Sequence, residues 1–192
     1  LSIIEETIKR VKKLYDKDID IENLAVDDPA VFKTLAEGKT VGVFQLEGAG
    51  MTRFLKELKP TNIEDIIAMV SLYRPGPMEL IPSYILRKHG KEQVAYLHPN
   101  LEPILKNTYG IMIYQEQLMQ AAQALAGFTL PEADTLLKAV GKKIRSLLEE
   151  QKEKLIAGTE RAIGSRRLGE TFWDLVEPFA RYGFNRSHAA GY

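Results

Sequence analysis

The chain has 192 residues, 45% hydrophobic and 27% charged, which is ample for a buried core and reads as soluble and globular. Lys plus Arg and Asp plus Glu are each 26, so the formal net charge is zero and overall charge argues for neither nucleic acid nor membrane. Cysteine is absent, which excludes a disulfide scaffold, a thiolate metal site and a cysteine nucleophile and fits a reducing compartment.

The predicted elements are mostly helices. Ser2-x-x-Glu5 has capping-box form and is followed by Ile3, Ile4, Ile8, Val11 and Leu14 at helical spacing. Asp28-Pro29 reads as an N-cap with proline at the first helical position, and Gly38 closes that helix. Thr40 to Phe44 reads as a strand. Thr61-x-x-Glu64 opens a helix through Ile66, Ile67, Val70 and Leu72, which Arg74-Pro75-Gly76-Pro77 must stop. Asn100 is placed to cap a short helix over Leu101, Ile104 and Leu105. Gly110 to Tyr114 is the second strand-like piece. Tyr114 to Ala126 carries Leu118, Ala121, Ala122 and Leu125 on one face and ends at Gly127. Thr129-x-x-Glu132 and Ser146-x-x-Glu149 are further capping boxes, with a break expected at Gly141 between them. Pro178 is expected to kink or shorten a helix over Phe172 to Tyr182. The fold class is therefore mainly α with one or two short β-hairpins. No apolar run approaches the roughly 20 residues that span a bilayer. The start is no signal peptide, and both ends read as cuts through a longer protein.

Charge is uneven along the chain. From Asp16 to Asp28 six acids face one base, Lys17, whereas from Leu137 to Leu168 nine bases face four acids. That basic excess suits a phosphate-bearing partner. Lys138, Lys142 and Arg145 would share one face of a continuous helix, or Lys142 and Lys143 would meet at a helix junction. Either arrangement suits polyphosphate, and the alternative is a solvated helix face. Phe184-Asn185-Arg186-Ser187-His188 gathers an amide, a guanidinium, a hydroxyl and an imidazole, with Ser187 as the expected cap of a helix starting at His188. Adjacent Ser and His without a G-x-S-x-G elbow do not make a hydrolase. Asp18-Ile19-Asp20 imitates a Mg2+-binding pair but reads as a solvated loop. His89 and His98 have no metal-site spacing and read as surface or core-edge residues. Arg74 sits on a rigid turn, and Gln115 follows an apolar segment.

The order of these segments is distinctive. Val43-Phe44-Gln45-Leu46-Glu47 precedes Tyr73-Arg74-Pro75-Gly76-Pro77, then Tyr109 to Gln117, then Gly141-Lys142-Lys143, then Tyr182-Gly183-Phe184-Asn185-Arg186-Ser187-His188-Ala189-Ala190. Over essentially its whole length the chain resembles the alpha subunits of bacterial DNA polymerase III, the C-family replicative polymerases. The resemblance implies a palm–fingers connecting segment at 1–36 and a helical fingers domain at 37–192. It implies that the parent is a cytoplasmic DNA-directed DNA polymerase in which the fingers hold the incoming deoxynucleoside triphosphate against template–primer DNA. Lys138, Lys142, Lys143, Arg186 and His188 would face phosphate, with Arg74 and Gln115 on the nucleotide side.

Further consequences of the resemblance concern what the chain lacks. The family's catalytic carboxylates belong to the palm, so no catalytic residue and no metal ligand is assigned to this chain, and Mg2+ would bind outside it. Other holoenzyme subunits would contact regions not in this chain. Two consecutive arginines of the family pattern fall at Leu137 and Lys138, its lysine falls at Arg186, and its alanine falls at Gly191. The rival from another class is a non-enzymatic helical module that binds nucleic-acid backbone through the same basic cluster.

Overall fold

The computed structural model describes residues 2–142, 145–179 and 182–192, and the side chain of Arg145 is not among what it describes. Helix follows helix along the chain. They are α1 (Ser2–Tyr15), α2 (Pro29–Ala36), α3 (Ala49–Leu58), α4 (Ile63–Leu72), α5 (Ile81–Lys88), α6 (Glu102–Leu105), α7 (Gln115–Ala126), α8 (Leu130–Lys142), α9 (Arg145–Ile163), α10 (Arg166–Phe179) and α11 (Arg186–Gly191). Short 3-10 turns lead into α5 and flank α6.

Two apolar cores organise them. The first joins Phe32 and Leu35 of α2, Leu55 and Leu58 of α3, Met69 and Leu72 of α4, and Ile81 and Tyr84 of α5. The second joins Leu118 and Leu125 of α7, Leu136 and Val140 of α8, Leu155 of α9, and Phe172, Trp173 and Phe179 of α10. Close helix approach in the second core uses two glycines. A Cβ on Gly158 would lie 2.5 Å from the Ala126 carbonyl oxygen, and one on Gly169 would lie 2.9 Å from the Ile156 Cα. α1 is amphipathic as its spacing predicts, but it buries no residue.

The two hairpins are not present: among the described residues there is no strand, only one isolated parallel bridge between Tyr114 and Phe184. Thr40 to Phe44 coils through turns, with Gly42 at φ +76° and Val41 fully in solvent. The second segment runs extended, but the Ile113 and Tyr114 amides donate to Gln117 Oε1 at 2.8 and 3.0 Å. The buried Gln117 amide thus takes the bonds that a strand partner would take, and its Nε2 donates to Thr108 Oγ1 at 2.8 Å.

Several caps shift from the predicted residue. Asp28 does cap α2, accepting from the Ala30 amide, and Glu132 accepts from Thr129 at the start of α8. That backbone bond, with help from Lys154, holds the Glu132 carboxyl down at about 2. At α4 the box moves one residue along: Asn62 Oδ1 accepts from the Asp65 amide, and Asp65 Oδ2 accepts from the Thr61 amide. Glu64 is thereby released from capping. His98, not Asn100, caps the turn before α6 by accepting from the Asn100 amide. α8 runs through Gly141 to Lys142, α9 already includes Ser146 in its first turn, and Pro178 lies within the last turn of α10.

A buried ion pair fixes α5 to the start of α4. Lys88 Nζ reaches Asp65 Oδ2 at 2.9 Å, and the two side chains are 7% and 1% exposed. Removing one member strands the other charge, at a cost of about 3–5 kcal/mol. Lys88→Ala is therefore expected to lower unfolding free energy by about that amount in urea melts, whereas removing the exposed partner in the Glu5–Lys9 pair should cost less than about 1 kcal/mol.

Candidate functional site

The C-terminal segment from Tyr182 to Tyr192 is laid between the two cores. The Tyr182 and Gly183 amides close back on the Phe179 carbonyl at 3.0 and 2.8 Å. The Phe184 amide then donates to the Ile113 carbonyl, and the Gln115 amide donates to the Phe184 carbonyl. One strand-like residue is thus clipped to the start of α7. Gln115 adds a weaker side-chain bond to the Gly183 carbonyl at 3.3 Å.

Arg74 anchors the same loop from the other side. Its Nε donates to the Ser71 carbonyl at 2.9 Å, near the open end of α4, and Nη2 donates to the Tyr182 carbonyl at 2.6 Å. The guanidinium carbon stands 4.3 Å from the centre of the Phe184 ring. Partial burial holds its pKa below the ordinary arginine value. The fork is spent on carbonyls and an aromatic face, so Arg74 builds the loop that presents the site.

Asn185 starts α11, its Oδ1 accepting from the His188 amide at 2.8 Å; the expected cap, Ser187, lies two residues too late, inside the helix. Glu116 then holds both Asn185 Nδ2, at 2.8 Å, and the Arg186 amide, at 3.2 Å. The Arg186 guanidinium is paired with Glu64 of α4. The exposed His188 ring sits between Phe184 and Tyr192, and Tyr192 stacks on the exposed Phe44 ring, with centroids 5.4 Å apart.

The structure therefore gathers Arg74, Gln115, Arg186 and His188 around one loop. Gln115 and Gly183 also meet Leu137 and Gly141 of α8 across a small cleft. That contact joins the loop to the face carrying Lys138 and Lys142. Lys138 is exposed and pairs with Asp134 one turn back, and Lys142 is exposed at the end of α8. Lys143 lies outside the described residues. Leu137 is half-buried against the second core. The residues that sequence reasoning passed over are acids and amides: Glu64, Glu116, Asn185 and Gln117. Asn185 was findable, since asparagine is among the best N-cap residues. The two glutamates find their roles only through contacts with residues far along the chain.

Among the described residues no three His, Asp or Glu side chains converge on a possible metal site. Asp18 pairs with Lys12 at 2.8 Å, and Asp20 closes its own loop by accepting from Glu22 and Asn23. Both carboxylates are thus engaged by α1 and its following loop rather than by one shared site.

Comparison with known proteins decides the family. The model of the bacterial DNA polymerase III alpha subunit finger domain matches residues 1–162. The chain belongs to that family. It is 50% identical over all 192 residues to the DNA polymerase III subunit alpha of Staphylococcus aureus strain MRSA252, and 51% identical to that of Staphylococcus epidermidis strain ATCC 12228. In both cases the chain spans 18% of the relative's length. Membership does not favour the stand-alone module.

The anchoring role of Arg74 has a direct test. Arg74→Lys keeps the charge but cannot bond Ser71 and Tyr182 at once. Losing one charge-assisted bond costs about 1.5–3 kcal/mol. The variant is expected to lose that much stability in a denaturant melt and to speed amide exchange at Phe184 and Gln115, while amides in the middle of α9 keep their relative protection.

Proposed function

We infer that this chain is the finger portion of a DNA-directed DNA polymerase, with 1–36 connecting to the palm and 37–192 forming the fingers. The observation that carries the reading is the identity to DNA polymerase III alpha subunits along the whole chain. In this reading the parent extends a primer on template DNA from deoxynucleoside triphosphates, in the cytoplasm and alongside other replicative subunits. Mg2+ serves as the metal and is held by carboxylates outside residues 1–192. Among the described residues no helix is long and apolar enough to cross a membrane.

The residues of this chain supply position and charge. Phosphoryl transfer needs little covalent chemistry from the protein, so a cation fixed at the site of developing charge is the main contribution the fingers can make. Arg186 and His188 extend from the first turn of α11, and Lys138 and Lys142 extend from the end of α8, with Lys143 next to them in sequence. Gln115 lies between the two groups, and Arg74 holds the loop that spaces them. The rigid seating of that loop supports this assignment, because a guanidinium on a mobile segment would lose its binding energy to ordering.

Two measurements test the reading together. The purified chain with primer–template, Mg2+ and all four deoxynucleotides is expected to give no incorporation above a no-protein control. Replacing Lys138, Lys142 and Lys143 with alanine is expected to weaken primer–template binding and to flatten the slope of log K against log salt by up to about 0.9 per lost phosphate contact. Unchanged affinity with an unchanged slope would return these lysines to a solvated helix face.

A further inference from the structure

We propose that Glu64 is a positioning residue that latches Arg186 until phosphate arrives, and that the Tyr114 hydroxyl takes Arg186's place on Glu64 when the latch opens. The proposal rests on the reading that Arg186 faces phosphate.

Three observations carry it. First, the guanidinium of Arg186 is already occupied by a carboxylate from α4, and the two side chains are 45% and 33% exposed. A carboxylate is the natural stand-in for a phosphate oxygen, since both accept from the same fork. Second, the backbone of the arginine is held separately. Glu116 accepts from the Arg186 amide and from Asn185 Nδ2, so the guanidinium can turn away without unseating α11.

Third, the Tyr114 hydroxyl is buried, in a residue only 3% exposed, with no hydrogen-bond partner among the described residues. Tyr114, Glu64, Glu116, Gln117, Arg186 and Ser187 border one cavity of about 390 Å³. Burial first, and the Glu64 carboxylate next, push the phenol above its ordinary pKa, while Arg186 opposes them. The hydroxyl therefore stays protonated and able to donate. Of the carboxylates that act on it, Glu116 is committed to α11 and Asp65 to Thr61 and Lys88, whereas Glu64 is held, among the described residues, only through Arg186.

The exchange is balanced in hydrogen bonds. In the latched state the guanidinium has Glu64, and the phenol has no acceptor. In the open state the guanidinium has phosphate, and Glu64 accepts from the phenol. A buried donor that gains a partner only in the open state favours that state and lessens the penalty of parting the ion pair.

The test is a titration of the 192-residue chain with sodium tripolyphosphate, following the Arg186 Nε–H cross-peak by 15N NMR, with a thermal melt on each variant. The wild-type cross-peak is expected to move saturably. Glu64→Gln should tighten binding at Arg186 at least threefold, with Glu64→Ala as a second variant should the glutamine amide keep a contact. Tyr114→Phe should weaken binding about threefold while Glu64 is present, have no effect in the Glu64→Ala background, which has no acceptor for the phenol, and leave the melting temperature unchanged or higher. A Tyr114→Phe variant that melts lower and binds unchanged would make the residue purely structural and overturn the exchange. A cross-peak that moves in every variant with one affinity would overturn the latch and leave the phosphate reading standing. A cross-peak that never moves would overturn both.

Discussion

The position of the C-terminal loop depends on one guanidinium. Arg74 sits where α4 has run out of hydrogen-bonding partners, and it satisfies a carbonyl of that helix while gripping a carbonyl more than a hundred residues later. The prolines beside it keep the backbone from continuing the helix, so the side chain is delivered at a fixed angle. Phe184 covers the guanidinium with its ring and in turn clips its backbone to Ile113 and Gln115. The first core, the start of the second core and α11 meet at this point. The basic and aromatic groups of α11 inherit their placement from it.

Electrostatics at the loop follow from the same geometry. Glu64 of α4 and Glu116 of α7 are not spread over solvent but are turned onto the first turn of α11. Glu116 bonds an amide and a backbone N–H at a helix start, where a negative charge is favoured by the helix dipole. Glu64 reaches the arginine beyond it. The segment carrying Arg186 is thus held by carboxylates drawn from helices that precede it by many residues, and one of them, Glu116, belongs to the motif at 109–117.

Helix positions were legible in the sequence because their signals are local. Asp28-Pro29, Thr129-x-x-Glu132 and Gly127 each act within four residues, and the apolar spacing of α7 matches the face it buries. Where two good caps stood side by side, sequence could not choose. Asn62 rather than Thr61, and Asn185 rather than Ser187, accepts the cap bond. The false strand at Gly110 to Tyr114 has a different cause. Its apolar run is real, but Gln117, four and three residues beyond Ile113 and Tyr114, accepts from their amides, and no local rule foresees a buried side chain replacing a strand. At the site, Arg186 and Gln115 were named from motif order, while their carboxylate partners depended on separations that a sequence pattern does not carry.

The glycine notches of the second core have a mechanical meaning. At Gly158 the backbone of α9 touches the end of α7, and at Gly169 the backbone of α10 touches α9, with no side chain between to act as a bearing. Contacts between main chains cannot be taken up by a change of rotamer, and packed interiors transmit strain rather than absorb it. The three helices therefore form one stiff lever whose short arm is the start of α7. A shift of α9 therefore reaches α7 through main-chain contact at Ala126, with no side chain between them to absorb it.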